Sequence, residues 1–361
     1  MKILFGYLSA EYRGGVKFQV DFAQNFRELE VGFLTSNSSV NYEDKVEAIG
    51  TIHRIPPTRQ FGKRLSALKK LAYEYDILYL NKATLNPFEL IMVRMAGFKK
   101  VIFHSHSTVK DCKNPVVRTL FYVLHYLSRP FIGLVADKMY ACSEEAGLWL
   151  FGKAFLKYGE VINNGIEAEK FRYNPDKRRN MREKMGISGF CIMHAGAFSA
   201  VKNQGYLVEA FSVFLKKNPD SLLIFAGSGE LMKEVKEKTA ELGIEEKVWF
   251  LGQRNDVCDL MQAADLFVLP SLMEGLPFVV IEAQAAGLPC LVTSGASKQV
   301  KITELCDFFD VHRPKEELAE LIESKKDSGK KDMLQDIREA GFDLECCARK
   351  LEMELMKEVV R

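Results

Sequence analysis

Long apolar runs are absent from this 361-residue chain. No apolar stretch approaches about 18 residues without a charge, so no spanning helix is expected. The opening MKILFGYLSAEYRGG reads as a strand and loop rather than a targeting segment, and the expectation is a cytoplasmic protein. Paired-cysteine spacing is missing too: Cys112, Cys142, Cys191, Cys258, Cys290, Cys306, Cys346 and Cys347 form no C-x-x-C and sit in apolar or mixed contexts. They read as reduced core residues, which excludes a disulfide frame and a cysteine metal cluster. No D-x-D occurs, so no metal is expected to hold an anionic ligand. With 50 Lys and Arg against 48 Asp and Glu, the chain has no basic excess of the kind that nucleic acid binding uses.

The charge that is present is unevenly spread. Residues 1–170 carry 23 basic against 17 acidic side chains and 171–361 carry 27 against 31, with ten against three in 51–100. The segment Arg59–Asp76 has the spacing of an amphipathic helix, with Phe61, Leu65, Leu68, Leu71 and Ala72 on one face and Lys63, Arg64, Lys69 and Lys70 largely off it. Such a helix ordinarily solvates its charges. The functional alternative is peripheral contact with an anionic membrane, on the inner face of the cell membrane, or with a lipid-diphosphate acceptor.

The most informative stretch is Asp265–Thr293, DLFVLPSLMEGLPFVVIEAQAAGLPCLVT. It predicts a strand at Leu266–Leu269, a Pro/Ser/Gly turn, a helix of about ten residues ended by Gly287, and a strand at Pro289–Thr293, which together make a βαβ unit. Pro277 suits a first helical turn, so Glu274 falls in the loop before the helix and Glu282 inside it. Eight residues of helical rise separate the two carboxylates by roughly 12 Å. A ligand with hydroxyl-rich groups at both ends and negative charge between them fits that spacing, because a helix start favours phosphate. A nucleotide-diphosphate sugar is such a ligand. Two glutamates on a helix are more often merely solvated, but these share a βαβ unit with a glycine-rich helix entrance, the usual ligand address in open parallel sheets.

Strand-like runs at Lys2–Leu8, Val31–Leu34, Asp76–Leu80, Lys100–His104 and Lys138–Cys142 alternate with helical stretches, the first spanning about Val16 to Leu29. This is the pattern of a doubly wound parallel sheet. The first strand runs through Glu11–Gly14 to Gly15 and a helix, the plan of a phosphate-approaching loop. His104-Ser105-His106-Ser107 ends a strand, where ligands bind, which favours His106 over His125 as a functional histidine. Ser143 is placed as a helix N-cap. The second half repeats the plan with strands at Phe190–Ala195, Ser221–Ala226 and Val248–Leu251, and with Gly196, Lys202 and Gly227 on the loops that follow the first two. Asp343–Val360 is a last helix with Leu344, Cys347, Leu351, Leu355 and Val359 at core spacing.

The segment P-S-x-x-E-G-L-P-x-x-x-x-E-A, together with H-S-H and VINNGIEAEKF, closely resembles retaining glycosyltransferases of family 4, in the group that builds capsular polysaccharide and exopolysaccharide. The resemblance covers essentially the whole chain. It implies the GT-B fold: two Rossmann-like, doubly wound parallel-sheet domains facing a central cleft. Residues 1–170 would form the acceptor-side domain, completed by helix 344–361, and 171–343 the nucleotide-sugar domain, with a hinge near 164–182. It further implies sugar transfer with retention, without a metal or other cofactor, from a donor that is expected to be a UDP-sugar to a glycan or lipid-linked saccharide. His106 would bond the donor hydroxymethyl region and Glu274 the sugar hydroxyls, while Glu282 would hold the ribose. Gly15, Gly196, Lys202, Gly227, Gly275 and Leu276 would line the donor, and Gly252–Arg254 the base.

Three positions depart from the family pattern. Asn163 replaces a proline, the loop Gly295–Thr303 lacks a G-G-x-x-E, and Ala197 stands where an arginine is expected beside the diphosphate. Lys298 or Lys301 is expected to compensate for that arginine. The alternatives are a degenerate GT-B module that binds a nucleotide sugar or a partner transferase without turnover, and a nucleotide-sugar epimerase.

Overall fold

The computed structural model describes residues 1–9, 15–106 and 115–360. The expected loop Glu11–Gly14, Ser107 and Cys112 lie outside them. The chain divides into two units, residues 1–165 with 344–361, and residues 166–343.

The first unit contains strands β1 (Lys2–Leu8), β2 (Glu30–Thr35), β3 (Thr51–Arg54), β4 (Ile77–Lys82), β5 (Lys100–Ser105), β6 (Lys138–Ala141) and β7 (Gly159–Val161). They form one sheet in the order β3-β2-β1-β4-β5-β6-β7, every pair parallel. The second unit contains β8 (Cys191–Ala195), β9 (Leu222–Ala226), β10 (Val248–Phe250), β11 (Leu266–Leu269), β12 (Cys290–Thr293) and β13 (Cys306–Phe309). Their order is β10-β9-β8-β11-β12-β13, again parallel throughout. In each sheet the order reverses next to the first strand, between β1 and β4 and between β8 and β11. The crevice outside the carboxyl ends of those strands is where such sheets take ligands.

Sequence and sheet agree because both faces of a parallel sheet are covered, so its inner strands are continuous apolar runs. Alternate residues of β1 enter different cores: Leu4 joins Leu78, Leu80 and Phe103, whereas Ile3 and Phe5 join Phe33, Ile102 and Tyr140. The helix Leu344–Val360 packs against the helix Gly15–Ala23 and places Leu344, Ala348, Leu351 and Leu355 in that second core. Buried Glu352 fastens it, since Oε1 accepts from the backbone N–H groups of Arg27, Glu28 and Leu29 at 2.8, 2.7 and 3.0 Å.

Several expected elements differ. The first helix stops at Ala23 instead of Leu29; the boundary between the units, at 165/166, falls within the expected hinge span 164–182, and the rest of that span carries the helices Ala168–Phe171 and Pro175–Met185 of the second unit. The basic helix runs Phe61–Glu74, and Arg64 is not one of its solvated charges. It is buried, donates to Ser36 Oγ and the Pro56 carbonyl at 2.8 and 2.6 Å, and lies over the Tyr7 ring.

Candidate active site

In the second unit the loops at the carboxyl ends of the strands are tied to one another through backbone groups. Gly196 N–H, after β8, donates to Ala226 at the end of β9, and Gly227 N–H donates to Gly252 after β10. Gly227 has φ +145° and a Cβ there would stand 2.0 Å from the Gly196 carbonyl oxygen, so only glycine allows this approach. Leu272 N–H, after β11, donates to Val201 at 2.8 Å. Glu274 N–H reaches Gly295 and Ser297 N–H reaches Gly275, which adds the loop after β12.

This lattice brings Lys202 onto Glu274. Lys202 closes the short turn Ala200–Lys202, ahead of Asn203 in the left-handed region and the helix Gln204–Leu215. Its Nζ donates to Glu274 Oε1 at 2.6 Å, and Ser271 Oγ donates to the same oxygen at 2.6 Å. Both partners of the pair are largely buried, with side-chain exposures of 22% and 15%, so its attraction is screened far less than that of a surface pair. Ser271 is the residue that sequence reading passed over. It sits in the P-S-x-x-E turn, three residues before the carboxylate it orients.

The helix after this loop runs Phe278–Ala285, eight residues, and Pro277 precedes it as N-cap rather than opening it. Glu274 therefore lies outside the helix, and the 12 Å helical spacing expected between it and Glu282 does not hold; only Phe278 to Glu282 follows helical rise. Glu282 is half-buried. Its charge helps raise the pKa of Lys170, after the larger influence of Glu167. Leu276 packs on the core below, and Gly275 is exposed. Arg254 forms a two-point pair with Asp256, at 2.7 and 2.5 Å. The compensating lysines are engaged elsewhere: Lys298 Nζ stands 3.9 Å from the Phe308 ring centroid and Lys301 pairs with Asp307.

In the first unit Gly15 and His106 come together. A Cβ on Gly15 would stand 3.3 Å from both Asn81 Cβ and His106 Cδ2. Asn81 Nδ2 donates to the Gly15 carbonyl at 3.3 Å, which orients Oδ1 toward His106 Nε2, 2.7 Å away. Nε2 therefore carries the proton and Nδ1 is the acceptor. Nδ1 and Asn164 Oδ1 are both sealed from solvent, with the Asn164 side chain in hydrogen-bonding reach of the ring. Burial lowers the His106 pKa to about 3, against a weaker upward pull from Asn164. His104, whose ring is tilted against that of His106 with centroids 3.9 Å apart, shares a hydrogen with Tyr79 Oη at 2.7 Å. Its pKa is held well below the usual value by burial and then by His106. His125 is structural, accepting from Leu85 N–H through Nδ1 and facing the Trp149 carbonyl through Nε2.

Comparison with known proteins gives the family and the fold. The family described as glycosyl transferases group 1 matches residues 177–342. EpsF of Bacillus subtilis (strain 168), which carries a provisional glycosyltransferase name, is 30% identical over 310 residues, 81% of this chain and 79% of its own. The chain belongs to the group 1 glycosyl transferases. Among its relatives in that family is an Escherichia coli enzyme named UDP-Gal:alpha-D-GlcNAc-diphosphoundecaprenol alpha-1,3-galactosyltransferase, 30% identical over 64% of this chain and 62% of its own. The crystal structure of Anabaena Alr3699/HepE in complex with UDP superposes with a TM-score of 0.77 over 99% of this chain and 100% of that one, at 22% identity. Two parallel-sheet Rossmann-like domains of this kind are the GT-B fold. As a group 1 glycosyl transferase the chain is a transferase of sugars.

Proposed function

We propose that the chain moves a sugar, with retention of anomeric configuration, from a UDP-sugar to a hydroxyl of a glycan or lipid-linked saccharide. The observation that carries the reading is the Lys202–Glu274 contact at the reversal point of the second sheet. It sets a cation and a hydrogen-bond-accepting carboxylate side by side, which is what a diphosphate joined to a polyhydroxylated ring requires. HepE has been crystallised with UDP-glucose, and the E. coli relative is named for a UDP-sugar donor and a lipid-diphosphate acceptor; both support the choice.

In this mechanism Lys202 leaves Glu274 for the diphosphate and neutralises charge as the nucleotide departs, with backbone amides and no metal. Glu274, still held by Ser271, accepts from ring hydroxyls, and Glu282 accepts from the ribose. His106 Nδ1, beside Asn164, accepts the hydroxymethyl O–H. The acceptor hydroxyl attacks on the face that the nucleotide leaves and passes its proton to a phosphate oxygen.

The test is thermal stabilisation by a panel of nucleotide sugars in chelator, followed by anomeric analysis of the donor hydrolysis product. A donor present at 100 times its dissociation constant should add about 2.7 kcal/mol. No stabilisation by any UDP-sugar, or an inverted product, overturns the reading.

A second reading, binding without turnover, is favoured by Ala197 together with the engagement of Lys298 and Lys301 away from the pair. A missing guanidinium next to a developing diphosphate charge costs on the order of 3 kcal/mol of transition-state stabilisation. If wild type binds a donor without hydrolysing or transferring it and Ala197→Arg restores either, the second reading holds.

A further inference from the structure

Two polar side chains lie sealed beneath the loop that carries Lys202. His194, on β8, and Gln204, the first residue of the helix Gln204–Leu215, are 0% and 1% exposed. His194 Nδ1 faces the carbonyl of Val268, on the neighbouring strand β11, at 2.9 Å. A carbonyl only accepts, so Nδ1 carries the proton and Nε2 is left as an acceptor. Burial lowers the pKa of this ring to about 4, against an upward pull from the Val268 carbonyl, and nearby Lys202 adds to the fall. The ring is therefore neutral at pH 7. Gln204 Nε2 stands 3.4 Å from His194 Nε2 and 2.9 Å from the Ala197 carbonyl oxygen. An amide nitrogen has two hydrogens, and this one directs one to each acceptor.

These bonds end on the loop between β8 and the helix. Its start is tied sideways, since the Gly196 and Phe198 N–H groups donate to Ala226 and Ser228, and the Val201 carbonyl takes the Leu272 N–H. Ala197 lies between those ties. It is exposed, yet its carbonyl is turned inward onto Gln204. A Cβ on Gly196 would stand 3.4 Å from His194 Nε2 and 3.6 Å from Lys202 Cε, so the ring and the lysine stem meet over that glycine. Only Asn203, in the left-handed region at φ 52°, separates Lys202 from Gln204. An apolar side chain would fill this space without desolvating an amide. The polar chain Val268–His194–Gln204–Ala197 instead specifies one backbone geometry, and it joins the strand leading to Glu274 to the loop carrying Lys202.

We propose that Gln204 is a positioning residue for Lys202, acting through the His194 ring and the Ala197 carbonyl to hold the ammonium against Glu274. Without its two hydrogens the Ala197 carbonyl is released, the loop relaxes, and fewer molecules keep Nζ on the carboxylate. The effect on turnover rests on the transfer reading, whereas the effect on Lys202 itself does not.

The experiment has two readouts. The first needs no donor: competitive acetylation of the native full chain at neutral pH, with Lys202 compared by mass spectrometry with exposed Lys217. Gln204→Leu, which keeps the volume and removes both hydrogens, should raise the relative labelling of Lys202 about tenfold, because an ammonium held by a carboxylate reacts slowly. The second is a double-mutant cycle on donor turnover. Gln204→Leu should lower kcat on the order of tenfold in the wild-type background and add nothing in a Lys202→Gln background. If Gln204→Leu melts early, Gln204→Ser, whose vacated space admits a water to satisfy both acceptors, is labelled in its place. Unchanged labelling of Lys202 in a variant that melts like wild type, or kcat losses that simply add in the cycle, would overturn the proposal. A wild type without turnover would overturn the transfer reading alone and leave the labelling to decide this one.

Discussion

Glu274, in the loop before the helix, and Glu282, inside it, share a residue type, yet the proposed mechanism divides their work. Glu274 is fixed by Ser271 and Lys202 before any ligand arrives, an orientation that matters most when charge moves at the sugar, whereas a ribose contact is similar before and during reaction. Glu282→Ala is therefore expected to raise KM or donor dissociation with kcat nearly unchanged. Glu274→Ala and His106→Ala should lower kcat by about a hundredfold, ~3 kcal/mol. Steady-state kinetics decide, and equal kcat losses in all three would refute the division. What the sequence made legible here was residue type in a βαβ context. It hid the partners: Ser271 is one of many serines, and Asn81, which sets the His106 tautomer, lies on a strand with no motif. Both act through side-chain geometry that only the folded chain creates.

Strand β5 holds His104, with His106 just beyond its end, and β8 holds a third, His194, whose Nδ1 bonds the Val268 carbonyl. Burial lowers His194 to about 4 and His106 to about 3, and holds His104 well below 6.5. In the unfolded chain these groups bind protons near pH 6.5, so below that value the unfolded state holds more protons and stability falls with pH. Full stability is present above about pH 6.5. By pH 5 His194 and His106, lowered to about 4 and about 3, should each have removed about 2 kcal/mol. Thermal melts from pH 7.5 to 5 should show a steep loss that His194→Gln reduces; a flat profile would mean that these rings titrate normally. Elements of this sort, inner and apolar on both faces, were readable from sequence, as Leu266–Leu269 shows. The strands that went unread, β3, β7 and β13, all lie at sheet edges. Edge position removes the signal: β3 is Thr-Ile-His-Arg, with no fully buried residue, and looks like loop.

At the scale of the molecule, the contiguous run 166–343 makes one complete unit, while the other is assembled from both sides of it. Residues 166–343 expressed alone should melt cooperatively, because their core borrows nothing from outside. Residues 1–165 alone should not, since Leu344, Ala348, Leu351 and Leu355 and the Glu352 clamp on Arg27–Leu29 are missing; supplying 344–361 as a peptide should recover the transition. Cooperative melting of 1–165 by itself would contradict this. The same discontinuity has a meaning on the ribosome. Translation delivers the first sheet early and its closing helix only after all of 166–343 has been made, so the unit begun first is finished second. During that interval Phe5 and Phe33 await a cover that is not yet synthesised, and the nascent chain is a client for holding chaperones over a window set by the length of the intervening unit.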